Sequence, residues 1–101
     1  MFDMHTDRLK CEITFDEEDI FMATGDREQY KTMNWLWGKF YDSPKIYPVY
    51  SMGLVRELKL LQNEKKELNE KFKDSFDKLI NFFNDASENN EDIITISDLR
   101  N

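Results

Sequence analysis

The side chains best suited to chemistry lie near the start of the chain. Asp3, His5 and Cys11 are metal-ligating types, and Asp16, Glu17, Glu18 and Asp19 form a run of four carboxylates. Structural zinc usually takes four ligands at closer spacing. With one histidine and one cysteine in the whole chain, that set falls short. Four consecutive acids can hold a hard cation, but this run lacks the alternating ligands and the glycine of a calcium loop. The expectation is a solvated turn. Carboxylates do acid–base work only in a pocket that perturbs their pKa. No phosphate-cradling glycine loop, HExxH or GxSxG occurs. The chain is therefore expected to have no catalytic residue, no metal and no cofactor, and not to be an enzyme.

A different kind of reactivity, contact, is suggested by "NWLWGKFY", residues 34 to 41, which places two tryptophans, a phenylalanine and a tyrosine in eight positions. Trp35, Trp37, Phe40, Tyr41, Tyr47 and Tyr50 could stack bases. Only Lys31, Lys39 and Lys45 lie near them, so direct nucleic-acid binding is not expected. Trp35 and Trp37 point to opposite sides of a helix. The reading assigns Trp37 to the core and Trp35 to an interface, because interface hot spots are enriched in Trp and Tyr. Alternatively, the chain's own "IYPVY" segment covers Trp35.

The elements that must position these residues can be read from periodicity. In "RLKCEITFD" Leu9, Cys11, Ile13 and Phe15 alternate with Lys10, Glu12, Thr14 and Asp16, a period-two strand with one buried face. "MFDMHTD" reads as a loose start. "IFMATG", 20 to 25, reads as a second strand or a helical turn. Asp26 with Gln29 forms a capping-box pattern before an aromatic helix of about 15 residues. Tyr30, Met33, Trp37, Phe40 and Tyr41 make its stripe, and Gly38 is expected to mark a close approach of another backbone. "KIYPVY" reads as a linker or edge strand, with Ser51 capping the next helix.

The clearest pattern is the last. Leu54, Leu58, Leu61, Leu68, Phe72, Phe76, Leu79 and Phe83 share a helical face; with Lys65 filling the missing place, eight steps cover 29 residues, about 3.6 per turn. Glu67–Lys71 and Asp74–Lys78 are favourable i,i+4 pairs. A continuous helix over 54 to 84 would be about 46 Å long, whereas a 100-residue globule is roughly 35 Å across. The distal half would then be left bare, to be covered by a second copy or another protein. The alternative is a fold-back at the apolar-free waist "QNEKKE", near Asn63. "IITIS", 93 to 97, is an edge strand or a free tail.

The predicted fold class is α+β. A small antiparallel sheet of two to three strands packs on the aromatic-rich helix, and one long C-terminal amphipathic helix comes after it. The predicted organisation is one domain over 1 to 101, with sheet and aromatic helix in 1 to 50, the long helix in 51 to 86, and an acidic loop with tail or edge strand in 87 to 101. Acids outnumber bases 21 to 14, for a formal charge of −7. That disfavours nucleic acid and anionic membranes and favours a protein partner with a basic surface. No signal-like or membrane-spanning apolar run occurs, and the lone cysteine allows no internal disulfide, so a cytoplasmic setting is expected.

The function expected is that of a small acidic protein-binding module. Its specific form is a phage or mobile-element inhibitor occupying a site on a host enzyme or defence complex, with carboxylates standing in for phosphates. The expected partner-binding residues are Trp35, Tyr47, Tyr50, Leu68, Phe72, Phe76, Leu79, Phe83 and the acids Asp16, Glu17, Glu18 and Asp19. A homodimer through 54 to 84 is a further expectation. The competing readings are a scaffold or chaperone-like protein that oligomerises through the long helix, and a small ligand- or metal-binding regulatory module.

Overall fold

Residues 2–97 are described by a computed structural model. The chain opens with a hairpin rather than a loose lead-in. Strand β1, Phe2–His5, pairs antiparallel with β2, Lys10–Ile13, in the register Phe2↔Ile13 and Met4↔Cys11. Phe2 and Met4 are buried while Asp3 is exposed, so the period-two pattern starts at the second residue. Thr6 closes the turn: its N–H donates to Leu9 O at 2.9 Å, and its Oγ1 accepts from the N–H groups of Arg8 and Leu9.

Strand β2 stops at Ile13 because the next residues start a helix. Thr14 N–H donates to Glu17 Oε1 at 3.0 Å, and Glu17 N–H donates to Thr14 Oγ1 at 3.3 Å. This reciprocal capping box launches α1, Glu18–Met22, which buries Ile20 and Phe21. Of the two readings of 20 to 25, the helical turn holds: 20 to 22 are helical and 23 to 25 form a turn. Phe15, assigned to the buried strand face, lies inside the box and is 73% exposed. Leu9, in the hairpin turn, is also exposed.

A 3-10 turn, Glu28–Tyr30, leads into α2, Lys31–Gly38. The aromatic helix is thus shorter than expected, and Asp26 does not cap it. Its cap comes from the next helix, α3, Pro48–Glu64. The buried Glu57 carboxylate accepts Thr32 N–H at 3.1 Å and Met33 N–H at 2.8 Å. These N–H groups would otherwise be orphaned at a helix start, where negative charge is also favoured. One turn earlier on α3, a Cβ on Gly53 would lie 2.8 Å from Thr32 Oγ1. Gly53 and Glu57 together let the first turn of α2 seat on α3. Gly38, the residue expected to mark such an approach, has open space around it.

Helix α3 starts with Pro48 at its first turn, where proline's missing N–H costs nothing. Ser51, expected to be the cap, is buried inside the helix. The helix ends at Lys65. A short α4, Lys66–Lys71, turns the corner, and α5, Lys73–Glu88, returns along α3. Gln62 Nε2 donates across the corner to Asn69 Oδ1 at 2.9 Å.

The segment 51 to 86 is helical apart from Lys65 and Phe72, but it is not a single rod. The molecule measures 36 × 33 × 25 Å, too short for a 46 Å helix. Each break forfeits a few helical hydrogen bonds, worth about 0.5–1.5 kcal/mol net apiece. The fold-back buries Phe76, Leu79 and Phe83 completely, at about 1.5–3 kcal/mol per side chain. Burial outweighs continuity. Helix α5 ends in a Schellman motif, with Asn90 at φ +54°, Asn90 N–H donating to Ser87 O and Glu91 N–H to Ala86 O.

Strand β3, Ile94–Ser97, pairs antiparallel with β1 and completes a three-stranded sheet in the order β2-β1-β3. The architecture is α+β: an antiparallel sheet packed on helices, with an aromatic cluster in the core. Phe40 centres that cluster, stacked on Phe2 at 4.4 Å and edge-on to Phe21 and Trp37. Ile46 bridges Ile93 on the outer edge of the sheet through two hydrogen bonds of 3.0 and 2.8 Å, and Thr95 Oγ1 donates to Pro44 O. This is the edge-strand role read in "KIYPVY", confined to one residue before Pro48 begins a helix.

Candidate functional site

The expected partner-binding residues separate into three groups. The first is brought together at the surface. Trp35, from α2, lies 4.8 Å from the ring of Tyr50, in the first turns of α3, and Tyr50 lies 5.9 Å from Tyr47. The three rings form a ladder. Lys45 Nζ sits over Tyr47 at 6.0 Å. Val49 and Met52, also on α3, are 67% and 58% exposed. The ladder exists because α3 begins at Pro48 and is drawn to α2 by Glu57 and Gly53, which carries Tyr50 to the side of Trp35.

Trp35 is half-buried, covered in part by Tyr50 of the chain's own "IYPVY" segment, so both readings of this tryptophan meet in one contact. Trp37 is also half-buried, and Tyr41 is exposed. The residue sealed between the two tryptophans is Leu36. Its step of three from Met33 and four to Phe40 is the helical signal for this residue, flanked by two larger rings.

The second group does not reach a surface. Phe76, Leu79 and Phe83 are fully buried, Phe72 nearly so, and Leu68 is half-buried against the core. They pack inside the molecule and cannot present an apolar face to a partner. The bare apolar face on which a homodimer through 54 to 84 was expected is therefore absent.

The third group, the acids, is divided. Asp16 is exposed, and Glu18 and Asp19 are half-exposed, with burial raising the Glu18 carboxyl above its ordinary range. Glu17 is buried and occupied. Both its oxygens accept from Lys78 Nζ at 2.8 Å, Ser75 Oγ donates to Oε2, and Thr14 N–H to Oε1. Burial pushes the carboxyl up. The hydrogen bonds from Lys78, Ser75 and Thr14 more than offset this, and its pKa falls below the usual carboxylate range. Lys78, expected to pair with Asp74 one turn away, reaches across to Glu17 and also donates to Glu12 O at 2.9 Å. Glu17 is thus a clamp joining β2, α1 and α5 and not a contact for a partner.

The Asp/His/Cys set is dispersed by the sheet. Asp3 and His5 lie on its outer face, Cys11 on its packed face. Burial pushes the Cys11 thiol up to about 11, which leaves it protonated and inert. Among the described residues, no three of His, Cys, Asp and Glu come together as a metal site. No described helix is long and apolar enough to cross a membrane.

A shallow groove of about 760 Å³ lies over the outer sheet face, lined by Asp3, His5, Lys10, Glu12, Lys78 and Ile96 among others. Part of this face comes from "MFDMHTD", whose short alternation of Phe2 and Met4 with Asp3 and His5 is too brief to signal a strand by itself. No family model, curated protein or solved structure matches the chain.

Proposed function

We propose that this protein is a small protein-binding module that engages its partner through the Trp35–Tyr50–Tyr47 ladder. The observation that supports this is the ladder itself: three rings in mutual contact at the surface, continued by exposed Val49 and Met52, on a molecule whose core is already filled by other residues. Trp and Tyr supply much contact area and a polar handle at little conformational cost, and they dominate binding hot spots.

The formal charge of −7 favours a partner with a basic surface. It acts by steering the encounter, since the rim of the ladder carries Lys45. In its specific form the module is an inhibitor that occupies a site on a larger enzyme or defence complex, with Asp16, Glu18 and Asp19 as the carboxylates available to a basic groove.

The test compares immobilised wild-type chain with Trp35→Ala and Tyr50→Ala variants of verified thermal stability, each exposed to the same cell extract. A defined protein retained at physiological salt by the wild type and lost from both variants is the expected result. Equal retention by all three chains overturns the proposal.

A further inference from the structure

We infer that the outer face of the sheet is a self-complementary surface, and that a second copy of this chain packs on it face to face. The register places six outward side chains in two rows. One row reads Glu12, Asp3, Ile96 across β2, β1 and β3; the other reads Lys10, His5, Ile94. Asp3, Lys10 and Glu12 are exposed, and Ile94 and Ile96 are 41% and 56% exposed. The packed face of the same strands carries Phe2, Met4, Cys11, Ile13 and Thr95.

Within one molecule this arrangement is unfavourable. Asp3 and Glu12 are direct cross-strand neighbours, and like charges so placed destabilise a sheet. Among the described residues neither of them, nor Lys10, is in a salt bridge. A two-fold axis between two such faces, perpendicular to the strands and midway between the rows, removes the conflict. It lays Glu12 over the partner copy's Lys10, Asp3 over its His5, and Ile96 over its Ile94, and repeats each pair by symmetry. Each carboxylate thus meets a Lys10 or a His5 of the partner copy, and the two exposed isoleucines meet each other.

The face is small. Three strands about 4.8 Å apart and four residues at about 3.4 Å each span roughly 14 by 13 Å. The interface therefore falls below about 1,200 Å² and the dimer is weak. The −7 charge on each copy opposes it at low salt. The groove over the face, about 760 Å³, gives the partner copy's side chains room to enter.

Sedimentation of the full chain over a concentration series at physiological ionic strength tests this. Mass should rise towards that of a dimer. Lys10→Glu and Glu12→Lys should each raise the dissociation constant by at least about tenfold, because each creates two like-charge contacts. The double variant K10E/E12K should restore dimerisation, since the two rows merely exchange sign at that strand. Ile94→Thr with Ile96→Thr, which keeps β-branched side chains on β3, should also weaken the dimer without lowering thermal stability. A chain that stays monomeric at every concentration, a dimer indifferent to the single reversals, or a double variant that fails to recover would each overturn the inference. The first outcome would leave the face to a different protein.

Discussion

The apolar stripe of α5 and the ring ladder at the head of α3 are made of similar material, yet one is sealed and the other lies open. The stripe has support on two sides: α3 runs alongside it, and Lys78 and Ser75 fasten it through Glu17 to the end of β2 and the start of α1. The ladder has support on one side only. Glu57 and Gly53 bring α2 to α3, and the rings occupy the seam where those helices meet solvent. An apolar residue in a small domain is buried when elements converge on it from both flanks. A ring cluster at a seam between two helices keeps an open side whatever its hydrophobicity.

The contrast is sharpest in stability. Phe76→Ala or Phe83→Ala should cost about 3–5 kcal/mol, a large share of the about 5–15 kcal/mol by which a domain of this size is stable. Urea denaturation measures this. A loss below about 1 kcal/mol would show that the stripe is not the core.

The seam can be broken more gently. Glu57→Ala removes a buried carboxylate that accepts two N–H groups at the start of α2. Hydrogen bonds to a charged group contribute about 1.5–3 kcal/mol, so a loss of about 2–3 kcal/mol is expected. Glu57→Gln, which keeps one acceptor, should lose less. The near-ultraviolet circular dichroism of Trp35 and Tyr50 should change with Glu57→Ala, because these rings touch only while α2 is seated on α3.

The clamp on α5 has a pH signature. The Glu17 carboxyl has a folded pKa below its unfolded value. Its contribution is therefore fully present above the ordinary carboxylate pKa, near about 4.3, and is lost as pH falls through the lower folded value. The stability difference between wild type and Glu17→Gln should be constant from neutral pH to about pH 5 and shrink below about pH 4. Chemical denaturation at several pH values reads it. A difference that grows on acidification would reverse the sign assigned here.

These contrasts also indicate what the amino-acid sequence discloses. The helical stripe from Leu54 to Phe83 was legible because it is long and periodic. The edge strand at 93 to 97 was legible from its β-branched run. The break at Lys65 was legible only as an alternative: it falls within the apolar-free waist "QNEKKE", but no glycine or proline marks a turn there, and what decides it is the gain in burying Phe76, Leu79 and Phe83, which exists only in three dimensions. Helix α1 had a local signal, Thr14 and Glu17 three residues apart, masked by the strand alternation running through Phe15. The cap on α2 had none, since Glu57 lies 24 residues beyond the N–H of Met33 that it accepts. Among the site residues, Trp35, Tyr47 and Tyr50 were identifiable as types, but their contact depended on where α3 begins.

The ladder should show the reverse of the stripe: little effect on folding and a large one on association. Trp35 is half-buried and Tyr50 partly exposed, and their mutual contact is a single tilted ring pair at 4.8 Å. Such a pair contributes about 0.5–1.5 kcal/mol beyond area burial, so Tyr50→Ala should lower stability by about 1 kcal/mol and Tyr47→Ala by less. If the rings are the contact surface, the same substitutions should weaken partner binding by about 2 kcal/mol or more, roughly thirtyfold in dissociation constant. The ratio of the two effects separates a binding surface from an incompletely covered core. A ladder that costs several kcal/mol in folding and nothing in binding would belong with the stripe of α5, and the seam between α2 and α3 would then be only the edge of the hydrophobic interior.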